Sequence, residues 1–410
     1  MHHDPRQAAG LLRDHLASHD RRLAFLFGAG VSASINIAPP PAPGERLAYE
    51  PLIPAVDQLT DACRKETVAL GADFESAWTN LSAELESLGL PPNVENVLTR
   101  LRLKIDSAGP SDKPLGLSLG DLRAMEKVVR ETIVRSVTLE DSAIPPSTPH
   151  DGFARWARQA IRNHPLEVFT LNYDLLLERA LERVLVPCFD GFVGCYRPFF
   201  SSELIEDQGR LPGPETVRLW KIHGSVNWCE VKIDGTTRIV RCETDESNAL
   251  ILPSYRKYEE SRKQPYLALL DRLSRVLRAD NTVLVVIGYS FRDQHVNAAI
   301  LDGLTANPSA HTIALEFANV DRNSALVTMA EQHANLIVYA KNAGVVSCQY
   351  GEWRLREAVN DQTAHFMDAF FDSRAAPEDD AEAREGLATI GDFNRFTHFL
   401  EMMERDHVAS

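Results

Sequence analysis

Three short polar stretches stand at the ends of apolar runs, and their residue types could do chemistry together. "TLNYD" at 170–174 holds Asn172 and Asp174, "KIHGS" at 221–225 holds His223, and "GYSFRDQHVN" at 288–297 holds Gly288, Ser290 and Asp293. A fourth, "FLFGAGVSAS" at 25–34, ends an apolar run in Gly-Ala-Gly and then in small hydroxyl-bearing residues. Asn172 neither titrates nor attacks, so its use is to position a hydroxyl or a water by donating and accepting together. His223 sits between an apolar run and Gly224, and of the thirteen histidines it is the one placed to act as a general base near neutral pH. Asp174 fits the N-cap of a helix that starts at Leu175. Asp293 fits the N-cap of a following helix, with Gly288 and Ser290 facing a ligand and His295 at a surface or capping position. Gly28 and Gly30 clear side chains from a turn, which suits a diphosphate cradled by backbone N–H groups. A tight strand-to-loop turn accounts for the same two glycines equally well, and Ala33 leaves G-x-G-x-x-G incomplete.

The surrounding pattern says what must position these residues. "RRLAFLFGAG" reads as a buried strand entering a tight turn, and the prolines of "NIAPPPAPGE" make an irregular loop after it. From about Pro54 to Glu140 apolar residues recur three and four apart in four successive segments, which predicts a helical subdomain inserted after the first strand. Beyond it, strands ("LEVFTLNYD", "VRLWKIHGS", "TVLVVIGYS", "HTIALEFAN", "LIVYAK") alternate with helices, and "WCEVKIDGTTRIVRCE" reads as a hairpin turning on Asp-Gly. Apolar strands alternating with helices imply a parallel sheet covered on both faces, a doubly wound, Rossmann-like α/β domain. In such a sheet ligands sit at the carboxyl ends of strands near a switch point, where all four polar clusters would fall. Residues 1–371 are expected to form this domain, 372–386 ("DSRAAPEDDAEAREG") an acidic linker, and 387–410 a helix for docking or oligomerisation.

Composition narrows the function classes. The chain has 410 residues, 44% apolar and 25% charged, as in an ordinary globular protein. The net charge of -15 argues against direct nucleic-acid binding except through a partner. No uncharged apolar run reaches membrane-spanning length, and "MHHDPRQAAG" lacks the features of a signal peptide, so a cytoplasmic location is expected. Six scattered cysteines with no C-x-x-C read as buried reduced thiols, with no metal site.

Taken together, the four clusters resemble the sirtuin superfamily. "GAGVS" resembles its first nucleotide-binding loop, "LNYD" its Asn-x-Asp segment, "HGS" its histidine loop and "VVIGYSFRDQHVN" its late Gly-Ser loop. The spellings "NYD" and "GYSFRDQHVN" are more similar to the bacterial sirtuin-like defence proteins than to deacetylases, as are "ENVL" at 95–98 and "DGFVG" at 190–194. The likeness runs over about residues 20 to 345. It implies NAD as substrate, hydrolysed to nicotinamide and ADP-ribose so that an infected cell is depleted of NAD in antiphage defence. It also implies a homo-oligomer partnered by a HerA-type ATPase. On this resemblance Asn172 holds the ribose hydroxyl or the attacking water, His223 is the base and Asp174 orients the site. Gly28, Ala29, Gly30 and Ser32 receive the diphosphate and nearby ribose, and Gly288, Ser290 and Asp293 line the adenosine side. Thr170, Tyr173, Gly224 and Ser225 complete the binding residues. Deacetylases carry four zinc cysteines after the histidine loop, where this chain has Cys229 and Cys242, so no structural zinc is expected. Protein deacylation, or NAD or ADP-ribose sensing without turnover, are the alternatives. A dehydrogenase is disfavoured because no acidic residue ends a second strand about 20 residues after the glycine loop.

Overall fold

The computed structural model describes residues 1–39, 48–159, 162–243, 249–251, 265–355, 367–373 and 384–408. In chain order its main elements begin with α1 (Pro5–Ala17), β1 (Arg22–Phe27) and the short α2 (Ala29–Ala33). Four helices follow: α3 (Val56–Val68), α4 (Ala72–Ser87), α5 (Val94–Ser107) and α6 (Leu119–Val137). Next come α7 (Pro149–Gln159), β2 (Glu167–Thr170), α8 (Leu176–Arg183), β3 (Val217–Lys221), β4 (Gly224–Ile233) and β5 (Thr236–Arg241). The second half holds α9 (Tyr266–Arg278), β6 (Thr282–Ile287), α10 (Gln294–Ala306), β7 (His311–Leu315), α11 (Ala325–Gln332) and β8 (Leu336–Tyr339). It ends with β9 (Ala343–Val346), β10 (Gln349–Leu355), β11 (Phe371–Ser373), β12 (Arg384–Ala388) and α12 (Phe393–Val408).

Strand β1 is buried at every position after Arg22, so both of its faces must be covered, as in the middle of a parallel sheet. It lies there, with β2 on one side and β6 on the other. From β8 through β7, β6, β1, β2 and β3 to the edge pair Cys188–Phe189, every pairing is parallel. The chain fills the β2–β3 side first and then returns to fill the β6–β7–β8 side, which places the switch point between β1 and β6. Leu23, Phe25 and Phe27 of β1 pack with Leu12 of α1, Phe153 of α7 and Phe396 of α12. Ala24 and Leu26 face the other way, into a core shared with Leu273, Ile300 and Val327. The fold is the doubly wound α/β architecture that the alternating pattern implies.

The four inserted helices have a core of their own, centred on Cys63, Trp78, Leu81, Leu98 and Val129. Their ends carry ordinary capping chemistry: the Asn93 side chain accepts from Asn96 N at 2.9 Å, and Ser118 and Asp121 cap α6 reciprocally. That core closes on Tyr173, Leu176 and Val226 of the α/β body, so the insertion is seated beside the "LNYD" and "HGS" segments.

Several sequence readings differ from the structure. A short helix, α2, follows Gly28 directly, and 40–47 of the proline-rich stretch lie outside the described residues. The ends of the 372–386 stretch are strands, because β11 pairs antiparallel with β12 and β12 with β10; residues 374–383 lie outside the described residues. Helix α12 buries Phe393, Phe396, Phe399 and Leu400 in the same core as β1, so this face is spent within the chain. Cys229 and Cys242 are joined as a disulfide, which corrects the reduced reading for those two. Among the described residues no helix is long and apolar enough to cross a membrane.

Two buried histidines make the fold acid-sensitive. Burial, helped by Arg21 and His311, pushes His15 down to about 4, and burial outweighs Asp174 and Asp151 in pushing His150 down to about 4. Unfolding restores both to about 6.5, so their contribution is complete above that pH and is lost as pH falls through about 4. The urea midpoint is expected to fall between pH 6.5 and 4, and less steeply in a His150→Gln protein. Equal slopes in the two would contradict this assignment.

Candidate functional site

The carboxyl ends of β1, β2, β3 and β6 come together at the switch point, and each contributes one of the four polar clusters. Just past β2 the backbone leaves the ladder, with Asn172 N donating to Thr170 Oγ1 at 3.1 Å. The Asn172 amide then reaches across to the first loop. Its Nδ2 donates to Gly28 O at 3.0 Å and to Ser32 Oγ at 2.8 Å. Ser32 Oγ donates in turn to Asp174 Oδ2 at 2.6 Å, while Asp174 Oδ1 accepts from Leu176 N at 3.0 Å. The direction of this chain is forced. A carboxylate only accepts, so the single serine proton goes to Asp174 and the serine must accept from the amide. Both Nδ2 hydrogens are thereby committed, and Oδ1 is the atom Asn172 can offer to a hydroxyl or a water. Asp174 thus holds Ser32 with one oxygen and accepts from the first amide of α8 with the other, while Leu175 takes the N-cap position.

The glycines of the first loop meet a requirement that neither the diphosphate reading nor the tight-turn reading includes, a close contact with the Gly288 turn. A Cβ on Gly28 would lie 2.3 Å from Gly288 O, and one on Gly30 would lie 2.8 Å from Gly288 Cα. Gly288, at φ +67, returns the contact, because its own Cβ would lie 2.6 Å from Val31 N. Two glycine turns thus pack backbone against backbone. The Gly28 and Gly30 amides donate to Ile287 O and Gly288 O, each at 3.0 Å, and so are satisfied within the protein. Ala29 opens α2, and Ser290 is exposed beyond the Gly288 turn.

The second polar group is built around His223. The β2–β3 ladder continues one step beyond the strands through Ile222 N to Thr170 O, and Gly224 turns at φ +88. Val226 N and Ser225 Oγ both donate to Tyr173 O, at 3.1 and 3.3 Å. His223 is left only 3% exposed, with Nε2 3.2 Å from Asp293 Oδ2 and Nδ1 3.7 Å from Glu95 Oε1. Burial alone would lower its affinity for a proton, but pairing with Asp293 and Glu95 outweighs it and holds the ring up to about 10. Burial likewise opposes ionisation of Asp293, yet His223 and the amides of Val296 and His295 bring that carboxyl down to about 2. The same Asp293 caps α10 through those amides, at 3.1 and 2.8 Å, as its sequence position suggested. As seated here His223 is therefore a cation, which corrects its reading as a base poised near neutral pH.

Three further residues of this region, Glu95, Lys221 and His150, have no role that the sequence declares. Glu95 arrives from α5, 128 positions before His223. Lys221, 1% exposed, donates to Glu178 Oε1 at 2.7 Å and to the Asp174 carbonyl, tying the start of α8 to β3. His150 joins Ser32, Thr170, Asn172, Asp174 and Glu178 around a cavity of about 10 Å³, room for one water. "KIHGS" holds Lys221 and "ENVL" holds Glu95, but neither residue type declares its use without the three-dimensional contact. Among the described residues no cluster of His, Cys, Asp and Glu side chains is arranged to hold a metal ion.

A doubly wound sheet with its polar groups gathered at the switch point is the architecture of a ligand-binding α/β domain. Residues 166–339 match the family model of the SIR2-like domain. That span contains Asn172, Asp174, His223 and the Gly288 turn, and stops short of the N-terminal loop and the insertion. Among solved structures, a chain described under the structural basis for the mechanism and regulation of Sir2 enzymes aligns over 77% of this chain and 86% of its own. Its identity is 13% and its TM-score 0.35. No curated protein matches.

Proposed function

We propose that this chain is an NAD hydrolase that breaks the bond between nicotinamide and ribose. The observation that carries the reading is the Asn172–Ser32–Asp174 chain beside the His223–Asp293 pair at the switch point, where all but Ser32 fall inside the span that matches the SIR2-like domain. NAD and water give nicotinamide, ADP-ribose and a proton, so the site must steady an electron-poor ribose carbon and take up the proton from water. Asn172 Oδ1, with its amide locked by two donations, suits a ribose hydroxyl or the incoming water. Such fixed dipoles stabilise developing charge because they need not reorganise during the reaction. His223 is the proton-handling group, and it takes up a proton only after losing the one it holds when paired with both carboxylates. Its burial also means that a substrate reaches it only when neighbours separate. With the Gly28 and Gly30 amides already used, donors for the diphosphate come from elsewhere in the loops.

The defence role, the homo-oligomer and the HerA-type ATPase partner belong to the same proposal, as does a cytoplasmic location. NAD turnover by the full chain, alone and with an ATPase partner, is the test. Asn172→Ala is expected to lower the rate by about 10²-fold or more, the size of losing one oriented dipole. His223→Ala is expected to lower it at least as far. Wild-type rates in both variants would end the assignment. Nicotinamide release that requires an acyl-lysine peptide would replace it with deacylation.

A further inference from the structure

We propose that the helical insertion sets the charge of the site: Glu95, on the first turn of α5, is a positioning residue that holds His223 as an imidazolium between itself and Asp293. The inference rests on the reading of His223 given above but goes beyond it, since it gives the insertion a task.

The geometry supports it from both ring nitrogens. Nε2 is bonded to Asp293, a carboxylate fixed by two backbone amides at the start of α10. Nδ1 is buried without a hydrogen-bond partner and faces Glu95 Oε1 at ion-pair distance, 3.7 Å. The other groups packed on the ring are Tyr173, whose hydroxyl donates to the same Glu95 oxygen at 3.5 Å, and Tyr266 of α9, with ring centroids 6.4 Å apart. The charged partners around the ring are thus two carboxylates, one facing each nitrogen, and opposite charges at this range favour the protonated ring. Asp293 is anchored to the α/β body. Glu95 is 31% exposed and rides on the insertion, so it is the partner that can withdraw without unmaking the sheet.

The consequence is a latch. With both carboxylates in place, pairing outweighs burial and the ring holds its proton through neutral pH. Removing an opposite charge at this range lowers the midpoint by about 1–2 units, which multiplies the neutral, proton-accepting fraction by about 10 to 100. The seating of α5 would thereby decide whether His223 can act as a base.

The experiment is a pH titration of the full-length protein labelled on histidine, followed by NMR, with the His223 resonance identified by its loss in His223→Gln. In the wild type the His223 midpoint is expected well above 6.5. In Glu95→Gln it should fall by about 1–2 units, and in Glu95→Asp, which keeps the charge, it should stay high. A Glu95→Gln midpoint within about 0.3 units of wild type overturns the proposal, as does an equal fall in both variants, which would point to packing rather than charge. The pH profile of NAD turnover separates this from the function itself. An acid limb that moves down with the NMR midpoint supports both. A midpoint that moves while the limb stays still supports the role of Glu95 and removes His223 as the base.

Discussion

A Glu167→Ala protein is expected to lose about 3–5 kcal/mol of stability, the usual result of removing one partner from a buried charge cluster. Glu167 opens β2 at the end of the sheet opposite the site, and its two oxygens serve three donors. Oε1 accepts from Arg218 Nη1 at 2.9 Å and from Arg272 Nη2, and Oε2 accepts from Trp220 Nε1 at 2.5 Å and from Arg272 Nε at 3.3 Å. Arg218 and Arg272 are 6% and 2% exposed, so alanine would leave two guanidinium groups facing each other without their shared anion. Arg218 keeps the Pro212 carbonyl, and Arg272 keeps only its contact with the Trp220 ring, 5.8 Å from its centroid. Neither replaces a carboxylate. Glu167→Gln separates charge from shape: it keeps the volume and one acceptor, and its loss should be clearly smaller. Urea unfolding of the three proteins measures this directly. A cost below about 1 kcal/mol for Glu167→Ala would mean that water reaches the cluster and the ion pairs carry little.

That cluster also shows what the sequence does not reveal. Glu167, Arg218 and Arg272 stand in strands and a helix that periodicity identifies, but nothing in their spacing says that they meet. The strands of the parallel sheet were legible because each is a short, mostly apolar run, unbroken in "VLVVI" of β6 and interrupted by Glu167 in β2 and by Arg218 in β3. The hairpin of β4 and β5 was legible because Asp234 and Gly235 supply two successive positive φ values, 51° and 77°, with residues known for it. The hairpin of β9 and β10 makes the same kind of turn through Ser347 and Cys348, at φ 50° and 62°, and neither residue signals it. The strands at 371–373 and 384–388 are hidden likewise, since an acidic, polar stretch reads as linker until β10 offers an edge to pair with. In the site, Asn172, Asp174 and Asp293 were visible from their places after strands or before helices. Glu95 was not, because a glutamate in the first turn of an amphipathic helix has a sufficient local reason to be there. Only the docking of the insertion makes it a partner of His223.

The largest effect of a single added methyl group is expected at Gly28. Its missing side chain is replaced in space by the Gly288 carbonyl, so Gly28→Ala must drive β1 and the Gly288 turn apart by more than a bond rotation can absorb. The obstacle is backbone on both sides. Gly28 N–H holds Ile287 O, Gly30 N–H holds Gly288 O, and Gly28 O accepts from Asn172. Relief of the overlap therefore breaks the bonds that set the site, and the variant should lose both stability, by about 3 kcal/mol or more, and the fixed orientation of Asn172. Gly10 provides the contrast, for it lies within α1 and a Cβ there meets nothing within 4 Å. Gly10→Ala should stabilise the protein by about 0.5–1 kcal/mol, the helix preference for alanine over glycine. Thermal or urea unfolding distinguishes the two reasons for Gly28 directly. If the glycine served only to admit a ligand, Gly28→Ala would fold as stably as the parent and lose only binding. If it serves the contact between the two turns, the loss of stability comes first, with or without ligand, because the first loop is built on the Gly288 turn before it can meet a substrate.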